Sequence, residues 1–211
     1  MTNPEGRRKV YIVDDDALMR DVIAAHFPPA EFSVETFGSA RDLLTRLAVD
    51  AVGCVVTDVR MSPMDGVALT EALRAHAKIM VVVVTAHADV ALAVSAMKAG
   101  ARDFFEKSED LARLVEAVRA FDDPPLEDPA TAAERGRVRQ RLQTLTAREL
   151  EILVEIGQGR TGRQISDGLG ISVRTVEAHR RALMLKMGAA RLGHLVRMAT
   201  LSDLDSRPSG A

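Results

Sequence analysis

The chain has 211 residues, of which 47% are hydrophobic and 27% charged, and this composition excludes wholesale disorder. Its longest strongly apolar run, Ile79–Val84, is far shorter than the ~18–20 residues of a membrane span. No long apolar stretch follows the basic residues of the N-terminus, as a secretory signal would require. The single cysteine, Cys54, excludes an internal disulfide framework. We therefore expect a cytoplasmic protein with no membrane partner.

Five β-branched runs alternate with five amphipathic segments over residues 1–121. The predicted strands are Lys9–Val13, Phe32–Thr36, Val52–Thr57, Ile79–Val84 and Arg102–Phe105. The predicted helices are about Asp16–Phe27, Ser39–Ala48, Gly66–Ala75, Asp89–Ala99 and Glu109–Phe121. Strict alternation implies right-handed crossovers and an open parallel sheet with helices on both sides. The first domain, 1–121, is therefore predicted as a doubly wound α/β (βα)5 fold with a five-stranded parallel sheet.

Residues 122–143 are predicted to be a linker. Asp122–Ala133 contains three prolines, which disfavour any strand or helix across this stretch. Glu134–Leu142 is a basic segment with a helical pattern, so it is predicted to be a helical lead-in to the next domain.

From Thr146 the pattern is helical throughout, which predicts a separate all-α domain at 144–204 and a frayed tail at 205–211. Thr146 and Thr161 each stand three residues before Glu or Gln, as in a capping box. The tight turn at 170–172 has helix-turn-helix length, and Ser172 is a cap for a helix over Val173–Met187. The last predicted helix covers about Arg191–Leu201.

Polar side chains follow four of the predicted strands. Asp14, Asp15 and Asp16 follow the first strand, and Asp58, Thr85 and Lys107 follow the third, fourth and fifth. These positions meet at the carboxyl edge of a parallel sheet, where the acids require Mg2+ or a lysine between them. The set predicts phosphoryl transfer, with Asp58 as the group that attacks phosphorus. The alternative is structural: the acidic run is a helix cap and Asp58 only begins a turn.

With these motifs, VYIVDDD, VVTDVRMSPMDG, VVVVTAHAD and ARDFFEK, residues 9–121 resemble the receiver domain of bacterial two-component response regulators. The resemblance implies a sensor histidine kinase as the phosphate donor and Mg2+ as the cofactor, with Mn2+ as an alternative. It implies no enzyme activity beyond self-catalysed phosphoryl transfer to the acceptor and hydrolysis from it. By the same resemblance the acceptor is Asp58, the metal ligands are Asp14, Asp15, Asp58 and the main-chain carbonyl of Arg60, and the phosphoryl-binding and switch residues are Thr85, Phe104 and Lys107. Phe104 could also be an ordinary core residue.

Two positions differ from the usual receiver pattern. Ser62 stands where receivers usually carry a proline four residues past the acceptor, and Ser108 replaces the proline that usually follows the lysine. A cis bond before a residue other than proline costs about 3 kcal/mol, so the Lys107–Ser108 bond is predicted to be trans and Ser108 to cap a helix. These two serines motivate the alternative of a pseudo-receiver controlled by partner or ligand binding.

The segments LTARELEIL, QISDGLGISVRTVEAHRRALMLKMG and HLVRMA resemble the LuxR-type helix-turn-helix. Joined to a receiver, this module is typical of the NarL/FixJ family of response regulators. The resemblance implies base contacts by Glu177, Ala178 and Arg181. It implies phosphate contacts by Arg174, Thr175, Arg180 and Lys186. His179 could contact the DNA backbone or be structural. The last helix could form a subunit contact or close the module.

The predicted function is that of a phosphorylation-controlled transcription factor that dimerises on promoter DNA, with RNA polymerase as a further candidate partner. Val90, Val94 and Lys98 are candidates for the dimer face. A Mg2+-dependent phosphohydrolase and a protein-binding adaptor are the competing classes. Charge partition favours DNA binding: residues 1–121 have 14 Lys+Arg and 18 Asp+Glu, whereas residues 144–211 have 10 and 7. The near-neutral total therefore averages an acidic and a basic half.

Overall fold

The computed structural model describes residues 6–86, 90–107, 111–120 and 129–201, with the backbone alone for 129–135, 200 and 201. Two compact units form: Met1–His87 with Ala99–Leu126, and Ala88–Lys98 with Glu127–Ala211. Within the described part of the chain, no helix has the length and apolar character needed to cross a membrane. Glu109, Asp110, the boundary at residue 121 and the tail at 205–211 lie outside the described residues.

The first unit is built on a five-stranded parallel sheet, as the alternating pattern predicts. Its strands, in the spatial order β2-β1-β3-β4-β5, all run in parallel. The strands are β1 (Arg8–Val13), β2 (Phe32–Phe37), β3 (Gly53–Asp58), β4 (Ile79–Thr85) and β5 (Asp103–Glu106). Every residue of β3 and β4 is buried, which explains why these strands are continuous apolar runs rather than alternating ones.

Helices follow the strands in the predicted order. They are α1 (Ala17–Ala25), α2 (Ala40–Arg46), α3 (Gly66–Ala72), α4 (Val90–Ala99) and α5 (Leu111–Arg119). The predicted third helix ends in a turn of 3-10 helix at Leu73–Ala75. Asp16, Ser39 and Asp65 cap α1, α2 and α3 by accepting hydrogen bonds from backbone N–H groups of the first turn.

A buried apolar cluster joins α1 and α5 to one face of the sheet. It contains Ile23 and Phe27 of α1 and Leu114, Val115 and Val118 of α5. From the sheet it includes Val10, Ile12, Cys54, Val56, Val82, Val84 and Phe105, which alternate along their strands. Because these strands are parallel, the carboxyl ends of β1, β3, β4 and β5 lie at one edge of the sheet.

The second unit is helical and confirms the predicted caps. Its C-terminal helices are α6 (Pro129–Leu142), α7 (Ala147–Gly157), α8 (Gly162–Leu169), α9 (Val173–Met187) and α10 (Leu192–Leu201). Thr146 and Thr161 both form complete capping boxes, and Ser172 caps α9. Gly170 and Gly188 end α8 and α9 in the left-handed conformation that glycine adopts without steric cost.

Most of the predicted linker is helical. The helical lead-in begins at Pro129, so its predicted start at Glu134 is five residues too late, and the last five residues of Asp122–Ala133 belong to a helix. Proline is compatible with this position because the first helical residue has no intrahelical use for its N–H group.

Candidate functional site

The three consecutive aspartates after β1 have different environments. Asp16 caps α1 by accepting from the N–H groups of Leu18 (2.9 Å) and Met19, so the structural interpretation holds for this residue. Asp14 is only 1% exposed, whereas Asp15 lies at the surface. The N–H group of Asp16 donates to Oδ1 of Asp14 at 3.0 Å and fixes that carboxylate. One acid therefore caps a helix, and the other two are directed to the sheet edge.

Asp58 is the last residue of β3, which pairs directly with β1. Carboxylate oxygens of Asp14, Asp15 and Asp58 all lie within 4.8 Å of one another. The backbone N–H of Arg60 donates to Oδ2 of Asp58 at 3.0 Å, so the Arg60 peptide lies against the same carboxylate. The predicted acidic cluster is therefore assembled.

Lys107 reaches this cluster from the end of β5. Its backbone N–H donates to the carbonyl of Thr85 at 2.7 Å, which anchors the residue beside β4. Its ammonium lies 2.7 Å from Oδ2 of Asp14 and 3.0 Å from Oδ1 of Asp58. The lysine therefore bridges two buried carboxylates that would otherwise repel each other.

Burial and charge act in opposite directions on these groups. Burial is the main cause that raises the pKa of Asp14, and the neighbouring charge of Asp58 raises it further, although Lys107 and the Asp16 N–H counteract both. Burial by itself would lower the pKa of Lys107, but its bonds to Asp14 and Asp58 outweigh burial and raise it. Lys107 is therefore a permanent cation at neutral pH.

Gly66 allows the loop after Asp58 to fold back on that residue. A β-carbon at this position would lie 2.1 Å from the main-chain oxygen of Asp58 and 3.1 Å from the Cα of Val59. The Gly66 N–H donates to the Val59 carbonyl at 2.9 Å. A side chain cannot be inserted here without displacement of the Asp58 backbone.

Thr85 and Phe104 are both buried, at 1% and 2% exposure. Phe104 pairs with Val83 in the sheet, and residues 83 and 85 of one strand point to the same face. The two predicted switch residues therefore lie on one face of the sheet. Ser62 is exposed in the loop after β3. Ser108, with the predicted trans bond and cap, lies outside the described residues.

The donor set fits a hard divalent cation. Carboxylate and main-chain carbonyl oxygens are the ligands that Mg2+ prefers, and the three acids of the cluster are close enough to share one ion. The Arg60 N–H donates to Asp58, so the backbone that leads to the predicted carbonyl ligand begins at this carboxylate. The residues therefore fit a magnesium or manganese ion.

The α9 helix presents a polar face to solvent. Arg174, Ala178 and Arg181 are exposed and recur at intervals of four and three residues, so they lie on one side of the helix. Leu185 continues this face at 83% exposure, and the sequence analysis did not single it out. Val173 at the start of α9 is 46% exposed. Arg174, Ala178, Arg181 and Leu185 therefore share one exposed face of α9.

The other predicted DNA-contacting residues are partly engaged within the chain. Thr175 shares a 2.8 Å hydrogen bond with the hydroxyl of Ser172, and Arg180 lies 3.5 Å from Glu177. His179 is half-buried. Lys186, predicted to contact phosphate, has its ammonium 2.7 Å from Oε2 of the buried Glu149. The sequence did not indicate that ion pair, because it joins α9 to α7 across 37 residues.

One contact that the sequence analysis did not single out lies beside the acidic cluster. Arg20 donates to the main-chain carbonyl of Asp14 at 2.6 Å. The only sequence signal for this contact is the position of Arg20, four residues after the acidic run. On α10, Leu195, Val196 and Met198 are fully or nearly fully buried, which favours closure of the module over a subunit contact. Val90 and Val94 are also buried, whereas Lys98 is exposed.

Comparison with known families matches both parts of the chain. The family described as "Response regulator receiver domain" matches residues 10–119. The family described as "Bacterial regulatory proteins, luxR family" matches residues 143–199. The first match contains the whole acidic cluster with Lys107, and the second contains α7, α8 and α9.

Relatives with both parts are known. The chain is 40% identical to the transcriptional regulatory protein FixJ of Azorhizobium caulinodans over 92% of this chain and 93% of that protein. It is 40% identical to FixJ of Rhizobium meliloti over 90% and 94%. Full-length FixJ from B. japonicum has a solved structure with 34% identity and a TM-score of 0.50, covering 96% of this chain and 98% of that one. The chain belongs to the NarL/FixJ family of response regulators, with a receiver domain and a LuxR-type DNA-binding domain.

Proposed function

We propose that this chain is a transcription factor controlled by phosphorylation of Asp58 from a sensor histidine kinase. The observation that carries the proposal is the bridge by Lys107 between the buried carboxylates of Asp14 and Asp58, within a cluster that includes Asp15. A buried lysine between acids costs desolvation, and a structural role alone would be served as well by apolar packing. The arrangement is suited to a transferred phosphoryl group.

The chemistry follows from the groups around Asp58. One carboxylate oxygen attacks the phosphorus of a phosphohistidine, a new P–O bond forms, and the P–N bond breaks. The leaving imidazole keeps the electron pair and takes up a proton. Lys107, 3.0 Å from Asp58, holds positive charge where the phosphoryl oxygens arrive, and the Arg60 N–H holds the carboxylate.

Asp14, Asp15, Asp58 and the main-chain carbonyl of Arg60 would hold Mg2+ or Mn2+, which when bound offsets negative charge on the phosphoryl group. Thr85 lies at the end of β4 beside the anchor of Lys107, so its hydroxyl is the group that would bind a phosphoryl oxygen. Phe104 lies on the same face of the sheet as Thr85 and is the aromatic member of the proposed switch pair. Repacking of the pair would favour a homodimer.

DNA recognition is assigned to α9. Its exposed face supports base contacts by Ala178 and Arg181, with Glu177 beside them. Arg174, Thr175, Arg180, Lys186 and His179 are the candidates for backbone contacts. Lys186 would have to share its charge between DNA phosphate and Glu149, because their ion pair is present without DNA. Two half-sites read by a dimer raise affinity without new base contacts.

In this proposal residues 1–121 are the receiver and 144–204 the DNA-binding domain. The protein acts in the cytoplasm on double-stranded promoter DNA and contacts RNA polymerase. Its only catalysis is phosphoryl transfer to Asp58 and hydrolysis of the resulting acyl phosphate.

The test compares the parent protein with Asp58→Ala and with Asp50→Asn, which removes an exposed acid outside the cluster. Each protein is treated with beryllofluoride and Mg2+, then examined by sedimentation and by binding to a duplex that the parent selects from a random pool. We expect the parent and Asp50→Asn to dimerise and bind more tightly, and Asp58→Ala to show neither change.

Identical behaviour of parent and Asp58→Ala in intact folded form would refute phosphorylation control and favour a pseudo-receiver. Turnover of a small phosphate ester by the parent, lost in Asp58→Ala, would instead indicate a phosphohydrolase. Absent or salt-insensitive DNA binding would indicate an adaptor, because phosphate contacts must weaken as salt rises.

A further inference from the structure

The end of the α9 helix receives a side chain from α6. Nη1 of Arg141 donates to the main-chain carbonyl of Met187, the last residue of α9, at 2.6 Å. The contact spans 46 residues of sequence and is partly buried. Arg141 therefore joins the segment predicted to be linker to the helix assigned to DNA recognition.

This carbonyl is one that a helix cannot satisfy by itself. The last four carbonyls of any helix have no intrahelical donor. In α9 the N–H of Gly188 donates to the Leu185 carbonyl at 3.1 Å, and that of Ala189 to Met184 at 2.8 Å. Arg141 supplies a donor for Met187 and places a cation at the negative end of the helix dipole.

Gly188 gives the guanidinium room to lie against the helix end. A β-carbon at Gly188 would lie 3.0 Å from Nη1 of Arg141 and 3.1 Å from its Cζ. Glycine at 188 therefore serves two purposes: it leaves space for the guanidinium, and it adopts the left-handed φ of 61° without steric cost. The close packing indicates a specific seat for Arg141.

The α6 helix has few other side chains to hold it in place. Where its side chains are described, Val138 is buried at 2% exposure, and the flanking Arg137, Arg139 and Gln140 are exposed. Such a polar helix is not stable alone in water and must gain stability from packing. It packs against α9 and α10. Val138 and Arg141, one turn apart, are thus on its docked side.

We propose that Arg141 is a positioning residue for DNA recognition, and that the DNA-reading module begins at Pro129 rather than at residue 144. Arg141 sets the position of the last turn of α9 and touches no DNA. The inference rests on the proposed function of α9 as the recognition helix. It assigns the second half of the predicted linker to the module that reads DNA.

The test uses full-length Arg141→Ala, Arg141→Lys and Arg139→Ala, of which the last removes an exposed arginine from the same helix. Binding is measured, with beryllofluoride and Mg2+, to the duplex selected by the parent and to a scrambled duplex of equal length, over a range of salt. Amide hydrogen exchange at Gly188 and Ala189 is measured in parallel.

Arg141→Ala should bind the selected duplex about tenfold more weakly, with little change on the scrambled duplex and an unchanged salt dependence. Exchange at Gly188 and Ala189 should accelerate. Arg141→Lys, which keeps a charged donor, should recover most of the affinity. A residue that contacted phosphate would instead weaken both duplexes and lower the salt slope by about 1.

Equal affinities of Arg141→Ala and Arg139→Ala for the selected duplex would overturn the inference while DNA binding stands. Equal loss on both duplexes with a reduced salt slope would overturn it in favour of a phosphate contact. If the parent selects no duplex, the proposed DNA binding fails, and the role of Arg141 in recognition fails with it.

Discussion

Replacement of Gly66 with alanine should destabilise the receiver domain and distort the site around Asp58. The added methyl would lie 2.1 Å from the Asp58 carbonyl oxygen, and real β-carbons essentially never approach closer than 3.0 Å. The two backbone segments must therefore separate by about 1 Å. The partner is main chain in a fully buried strand, so it cannot rotate away as a flexible side chain would.

The expected cost combines two effects. Overpacking against a fixed neighbour costs about 1–3 kcal/mol, and the separation also weakens the bond from the Gly66 N–H to Val59, worth about 1 kcal/mol. We expect a loss of about 3 kcal/mol in the free energy of unfolding. For a domain of this size the urea midpoint should fall by roughly 1–2 M.

Tyrosine fluorescence allows this domain to be followed alone. Tyr11 is the only tyrosine of the chain, which has no tryptophan, and it lies in β1 at 9% exposure. Its signal therefore reports unfolding of the sheet without contribution from the helical module. Phosphorylation of Asp58 by acetyl phosphate is the second measurement, and a displacement of about 1 Å should slow it by roughly 100-fold.

Gly38→Ala is the matched control in the same domain. A β-carbon there would meet only the end of the Arg20 side chain, at 3.7 Å, and its backbone is not in the left-handed region. Its free energy of unfolding should stay within about 0.5 kcal/mol of the parent's value. If Gly66→Ala unfolds at the same urea concentration as Gly38→Ala, the argument from the close approach is wrong.

Three further predictions concern ionisable groups. The pKa of Glu149 is lowered chiefly by its bond with Lys186, so this pair should stabilise the fold above about pH 4.3 and lose its effect as pH falls further. In Glu149→Gln the melting temperature, followed by circular dichroism, should therefore fall less steeply as the pH is lowered. The pKa of Asp14 is raised chiefly by burial, so ionisation of this carboxyl costs stability as pH rises above about 4. Asp14→Asn should therefore raise the urea midpoint at neutral pH and weaken Mn2+ binding measured by calorimetry. An unchanged midpoint would contradict the burial argument. Burial raises the pKa of the Cys54 thiol to about 12, so a thiol-reactive disulfide should label it only in step with urea unfolding, whereas rapid labelling of folded protein would show that β3 is accessible.

Much of the fold follows from local patterns. Short apolar and β-branched runs predicted all five strands to within a residue or two. In β3 and β4 these runs are continuous because strands buried on both faces need apolar side chains along their length. The caps at Thr146, Thr161 and Ser172 were predicted from residues only a few positions apart. The start of α6 could not be predicted in this way, because packing stabilises this polar helix and its own sequence has no clear helical pattern there.

What the sequence by itself determined is the set of groups at the sheet edge and the bounds of the helix proposed to face DNA. The carboxyl ends of parallel strands meet at one edge of the sheet for any loop conformation, so the sequence alone predicts that Asp14, Asp58 and Lys107 share one site. Only the tertiary structure decided how the groups divide their roles. It separated the helix-capping Asp16 from the buried Asp14, and it showed that Arg141 holds the end of α9. Such contacts join residues far apart in the chain and depend on ångström-scale placement, which no local pattern of residues encodes.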